Sequence, residues 1–140
     1  MFYLGIDVSK KTHRVVIIDN YGEKASKSFS IKSSSEDFEN LLNYLKEHNL
    51  SPENLLAGLE ATGNFWKNIY SYLTNKKFSV TVINPRQTTK FREALRKKAK
   101  TGDIDALVMA EMLRSGEYAF MSLKKISRLS ANILSNSITA

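Results

Sequence analysis

Apolar and polar residues alternate from Phe2 to Val8, with Phe2, Leu4, Ile6 and Val8 on one side and Tyr3, Gly5 and Asp7 on the other. A period of two predicts a half-buried strand, with Asp7 on the face opposite Leu4 and Ile6. Residues 13–19, His-Arg-Val-Val-Ile-Ile-Asp, predict a second and more buried strand. Asn20-Tyr21-Gly22-Glu23 is a turn signal, and residues 24–31 alternate again as a third strand. Three strands joined by short turns read as an antiparallel meander. Ser33-Ser34-Ser35 then offers a helix cap, followed by Phe38, Leu41, Leu42 and Leu45 at helical spacing. That helix should stop near His48-Asn49, before Pro52. Residues 54–60 predict a fourth strand. Thr62-Gly63-Asn64 turns into a helix bearing Phe65, Trp66, Ile69, Tyr70, Tyr72 and Leu73, an apolar set expected to pack in the core. Residues 78–83 are a β-branched fifth strand, ended by Asn84-Pro85. A basic helix or loop follows. Ile104, Leu107, Val108, Met112 and Leu113 predict an amphipathic helix closed by Gly116.

The predicted order is β-β-β-α-β-α-β-α, an α/β mixed sheet with its first three strands antiparallel. Strands one, four and five are separated by helices, so they should run parallel through right-handed crossovers. Ligand sites in such sheets gather beyond the carboxyl ends of the parallel strands. Asp7 and Glu60 both fall at those ends, and Asp103-Ile104-Asp105 opens the last helix.

Acids are common at element ends, and residue type alone favours ordinary surface carboxylates. Placement changes that balance. Mg²⁺ takes hard oxygen ligands, commonly one or two carboxylates with water and substrate phosphate completing its shell. Two such ions can stabilise both the attacking and the leaving oxygen of a phosphodiester.

Composition narrows the class. The chain has 140 residues and 42% apolar content, enough for one domain with a core. It has no cysteine, which excludes disulfides and thiolate metal sites. It has no apolar run long enough to span a bilayer and no signal-peptide pattern, so a cytoplasmic protein without membrane association is expected. The net charge of +7 suits a polyanionic partner. Arg86, Lys90, Arg92, Arg96, Lys97, Lys98 and Lys100 crowd one segment, opposed only by Glu93. A lone basic run is usually a solvated helix face. This one leads directly into the Asp103/Asp105 cluster. The two histidines, His13 at a strand start and His48 at a helix end, read as structural.

Four motifs in order now carry a resemblance. They are Gly5-Ile6-Asp7-Val8-Ser9-Lys10, Leu59-Glu60-Ala61-Thr62-Gly63, Val82-Ile83-Asn84-Pro85 and Lys100-Thr101-Gly102-Asp103-Ile104-Asp105-Ala106. Together they resemble the N-terminal domain of the DEDD-type insertion-sequence transposases, a family that includes the Piv-type DNA invertases. The resemblance covers about residues 1–120. It implies a RuvC-like domain of the RNase H superfamily whose acidic tetrad binds Mg²⁺ or Mn²⁺. By motif, Asp7 and Glu60 match the first two acids and Asp105 the last. The third acid falls on position 102, which is Gly here, so that ligand is either lost or displaced to Asp103. Residues three apart share a helix face, whereas Asp103 and Asp105 point to roughly opposite sides.

The resemblance further implies DNA cleavage and strand transfer in the complete protein, DNA as partner, a structured element-encoded RNA as a second, and a homo-oligomer. Family members continue into a helical connector and a C-terminal domain supplying a serine. Residues 1–120 are therefore expected to form the catalytic domain. Residues 121–140 are expected to be a helical or disordered tail, the start of a missing connector. Two other readings stand beside this one. One is a non-catalytic nucleic-acid-binding remnant of such a transposase, for which Gly102 speaks. The other is a sugar-kinase or ATPase-like phosphate-binding domain. The missing Gly-Thr after Asp7 and the short chain speak against it.

Overall fold

Strand β1, Phe2–Val8, lies at the centre of a five-stranded sheet ordered β3-β2-β1-β4-β5. The computed structural model describes residues 1–96 and 103–116. β2 (Thr12–Ile18) pairs antiparallel with β1, and β3 (Phe29–Lys32) antiparallel with β2. β4 (Leu55–Glu60) and β5 (Ser79–Ile83) run parallel to β1 and to each other. Helices α1 (Ser35–Glu47) and α2 (Trp66–Asn75) occupy the two long connections. A 3₁₀ turn over Pro85–Gln87, helix α3 (Thr89–Leu95) and helix α4 (Ile104–Ser115) follow β5. This is the mixed α/β order read from the sequence, with the basic segment, as far as Arg96, forming a turn and a short helix.

The pleat divides the core in two. Leu4, Ile6, Val15, Ile17, Ala57 and Leu59 pack with Phe38, Leu41, Leu45, Ile69 and Leu73 of α1 and α2. Tyr3, Val16 and Ile18 turn to the opposite face and meet Ala106, Leu107, Ala110 and Leu113 of α4. A smaller group joins Ile83 to Val108, Met109 and Met112. The result is a three-layer domain, with helices on both faces of the sheet. Ser34 caps α1 by accepting from Asp37 N, as the serine run predicts, and Gly116 closes α4 in the left-handed conformation at φ 71°. The aromatic segment packs as expected through Trp66 and Ile69, while Phe65 stays 44% exposed. His13 is fully buried and stacks on Phe38.

β2 runs Thr12–Ile18 rather than 13–19 and β4 starts at Leu55 rather than 54, and two larger or better explained shifts lie at β3 and β5. The third strand, expected over residues 24–31, pairs as a ladder only from Phe29, with one isolated bridge from Lys24 to Ile18. The stretch between has no large apolar side chain to bury, and its polar groups reach elsewhere: Lys24 Nζ and Ser28 Oγ both contact Asp103. β5 begins one residue late because Phe78 N donates to Leu73 O, closing the end of α2. No helix among the described residues is long and apolar enough to cross a membrane. The tail at 121–140 lies outside the described residues, as do Lys97, Lys98, Lys100 and Gly102.

Candidate metal centre and nucleic-acid interface

The centre is built on two glycines. Gly5 of β1 stands opposite Gly58 of β4 in the parallel register. A Cβ on Gly5 would lie 1.9 Å from Ala106 O and 2.8 Å from Ala110 N, and one on Gly58 would lie 2.8 Å from a methyl of Leu113. Only a bare backbone lets α4 lie this close to the sheet. Two residues on, alternation puts Asp7 and Glu60 on the same face as the glycines, abreast at the carboxyl ends of neighbouring strands. α4 starts at Ile104, so its first turn carries Asp105 towards the same end.

Asp7 responds to both Glu60 and Asp105. The Asp7 carboxyl is pushed from its ordinary 3.8 up to about 6, first by burial, then by the negative charges of Asp105 and Glu60, with Arg92 opposing. Among the described residues no group donates a hydrogen bond to the Asp7 carboxylate. Glu60 and Asp105, by contrast, share a cation. Arg92 Nη2 donates to Glu60 Oε2 at 2.9 Å, and Arg92 Nε donates to Asp105 Oδ1 at 2.8 Å. Both nitrogens belong to one planar fork, so a single guanidinium bridges the two acids. Its third arm, Nη1, reaches Thr88 Oγ1 at 2.6 Å. Thr88 is fully buried, and its hydroxyl lies 3.0 Å from Glu60 Oε1 and 2.7 Å from Pro85 O.

Asp103 stands apart from this group. Its carboxylate is 6% exposed and accepts from Arg14 Nε at 3.0 Å, Lys24 Nζ at 2.9 Å and Ser28 Oγ at 2.8 Å. Burial alone would raise its pKa, but the bonds from Lys24, Ser28 and Arg14 outweigh burial and hold it at about 2. The two acids of one helical turn thus leave α4 on different sides, as the two-residue spacing dictates. Of the basic segment, Arg86, Lys90 and Arg96 are exposed, whereas Arg92 is turned inward.

Sequence reasoning placed Arg92 in a phosphate-facing lane and did not see its partners. The signal was present. Thr88, Arg92 and Leu95 follow at spacings of four and three, and Phe91 and Leu95 are partly buried against α4, so α3 has an inward face. Arg14, Lys24 and Thr88 were also not singled out.

The donor set suits a hard divalent ion. Asp7, Glu60 and Asp105 are oxygen donors without competing soft ligands, and Asp7 is short of positive charge. Among the described residues no three acids or histidines are yet disposed to hold one ion together. Arg92 lies between two of the three.

Comparison with known proteins places this geometry. A family model described as Transposase, of the DEDD insertion-sequence type, matches residues 4–134. The chain belongs to the DEDD transposase family. No curated protein matches it. Among solved structures it is similar to Thermus thermophilus RuvC, at 14% identity and TM-score 0.58 over 87% of this chain and 97% of that one. It is also similar to T. thermophilus RuvC in complex with a Holliday junction substrate, at 13% identity and TM-score 0.58 over 86% and 96%. At these identities the likeness concerns the fold, which is RuvC-like within the RNase H class.

Proposed function

We propose that this DEDD transposase domain is the DNA-cleaving part of a transposase or site-specific recombinase, acting with Mg²⁺ or Mn²⁺ held by Asp7, Glu60 and Asp105. The observation that supports it best is the carboxylate Asp7. It stands beside Glu60 at the carboxyl ends of parallel strands, is pushed up to about 6 by burial and its acidic neighbours, and has no donor of its own among the described residues. An acid so placed gains more from a cation than a surface acid does. The bound ion would supply polarisation of a phosphodiester and stabilisation of charge on its oxygens. The rest is work for the chain. Above about pH 6 Asp7 is ionised and ready to act as a ligand. The sheet and α4 form an apolar wall behind the acids, which strengthens electrostatics at the centre. Arg86, Lys90 and Arg96, exposed beside it, meet the DNA backbone and set its position without reading its sequence.

Mn²⁺ titration followed by electron paramagnetic resonance tests this reading. The parent chain should bind Mn²⁺, and Asp7→Asn and Glu60→Gln should each lose that binding. An Asp7→Asn chain that binds Mn²⁺ as the parent does overturns the assignment.

A second reading has its own observation. The acid next to the Gly102 position, Asp103, is taken up by Arg14, Lys24 and Ser28 and does not stand in for the family's third acid. On that reading the chain binds nucleic acid without cleaving it. Gly102→Asp restores a carboxylate at the position where the resemblance puts the family's third acid. Under the first reading it should tighten Mn²⁺ binding over a Gly102→Asn control; under the second it should not.

A further inference from the structure

Arg92 raises a question the metal reading leaves open, because it already neutralises two of the three acids. All three arms of its guanidinium are engaged, to Glu60, Asp105 and Thr88. A guanidinium never loses its charge at working pH, so this cation leaves only by moving. The element that carries it is lightly fixed. α3 is seven residues long and contributes no buried residue; Phe91 and Leu95 are only partly buried against α4. Arg92 supplies α3 with its ion pairs to β4 and α4. Segments with little buried surface are the ones that open locally. The same helix and the turn before it present Arg86, Lys90 and Arg96 to solvent, and among the described residues none of these three forms an ion pair.

We propose that Arg92 is a latch that couples DNA binding to metal loading: it closes Glu60 and Asp105 in the DNA-free chain, and the DNA backbone, gripped by Arg86, Lys90 and Arg96, draws it out and opens those acids to a divalent cation. The inference rests on the metal centre proposed above. Its logic is competition. One guanidinium bridges two carboxylates and makes no hydrogen bond to Asp7. A divalent ion serves all three, but it needs the oxygens that Arg92 covers. A phosphodiester offers the guanidinium a bidentate partner of similar geometry, so the displaced arginine keeps an anion. DNA and metal then favour each other's binding by the same factor in either order.

The test is Mn²⁺ affinity, read by electron paramagnetic resonance on the whole chain, alone and saturated with a short DNA duplex. Asp7→Asn with the same duplex measures the Mn²⁺ carried by the DNA itself. Duplex should tighten Mn²⁺ binding to the parent by on the order of tenfold. Arg92→Met should bind Mn²⁺ that tightly without DNA and gain nothing further from it. Arg92→Lys, whose ammonium cannot bridge both acids, should fall between and serves should Arg92→Met fail to fold by circular dichroism. If Arg92→Met and Arg92→Lys bind Mn²⁺ no tighter than the parent while Asp7→Asn abolishes binding, the latch is wrong and the metal centre stands. Equal parent affinity with and without duplex also overturns it. If neither the parent nor the Arg92 variants exceed Asp7→Asn, the metal centre itself is wrong and the latch goes with it.

Discussion

Asp103 is buried and Asp7 half-buried, yet one is held at about 2 and the other is driven to about 6. Their surroundings explain the difference. Asp103 is met by two cations and a hydroxyl, so its charge is answered before any ligand arrives. Asp7 is met by two further acids, and the cation that acts on it, Arg92, is already shared between them. The first arrangement ties α4 to β2 and to the stretch before β3. The second stores an electrostatic cost that a bound cation can relieve. An acid satisfied by its own chain is building material, and an acid left wanting is the better candidate for chemistry.

The widest break in this contrast is at the glycines beneath it. Gly5→Ala puts a methyl into the backbone of α4. It should lower stability by about 3 kcal/mol or more, beyond ordinary overpacking because backbone rather than a side chain must yield. Thermal denaturation should show the loss. If the variant still folds, it should lose Mn²⁺ binding because Asp105 is carried away from Asp7.

Asp103→Asn should cost roughly 1–3 kcal/mol, less than for a fully buried pair because Arg14 and Lys24 are 35% and 41% exposed. A folded-state pKa below the ordinary 3.8 means this contribution is fully present above about pH 4 and is lost as pH falls towards 2. Urea denaturation across that window should show the parent losing stability more steeply than Asp103→Asn. Equal slopes would assign the acid limb to other carboxylates.

Asp7→Asn should act in the opposite direction. A carboxyl raised from 3.8 to about 6 binds its proton more tightly in the folded state, so stability falls as pH rises through that interval. Removing the charge should therefore stabilise the metal-free chain by about 1–2 kcal/mol at pH 7.5, after discounting for partial exposure. The gain should vanish near pH 4. A variant that is more stable and binds no Mn²⁺ sharpens the contrast with Asp103; one that is less stable than the parent at pH 7.5 breaks it.

The smallest effect is expected at the rim. Arg86, Lys90 and Arg96 changed together to Ala should flatten the log–log salt dependence of DNA affinity by about 0.7–0.9 for each phosphate no longer neutralised. The fold should hold, since all three side chains are exposed. An unchanged slope would make these residues ordinary solvated surface.

Much of this was legible in the chain. Period-two alternation marked β1 and put Asp7 opposite Leu4, because a buried face fixes which residues point inward, and intervening helices implied the parallel set, because a crossover returns the chain in the same direction. Ser34 and Gly116 marked their helix ends through local hydrogen bonding and φ, which need no distant partner. The third strand was overextended because Lys24 and Ser28 alternate correctly yet spend their side chains on Asp103, far along the sequence. Asp103 and Arg92 were hard to place for the same reason. Whether a charged residue in a helix meets solvent or an opposite charge depends on which elements pack over it, and a run of like charges carries no mark of its inward member. The paired Gly5 and Gly58, each two residues before an acid, were the overlooked clue that a helix would lie directly on that face.

That glycine bed also governs when the centre can exist. β1, β4 and α4 are remote in sequence, and 89 positions separate Arg14 from the Asp103 it grips. Pairings of such long range form late, once the costly loops between them have closed. A chain part-way through folding can hold the β1–β2 hairpin and even α1, but until α4 settles on Gly5 and Gly58 its acids are scattered. On the proposed reading, a domain that cuts DNA is thereby harmless until it is whole, and timing becomes a safeguard written into two missing side chains.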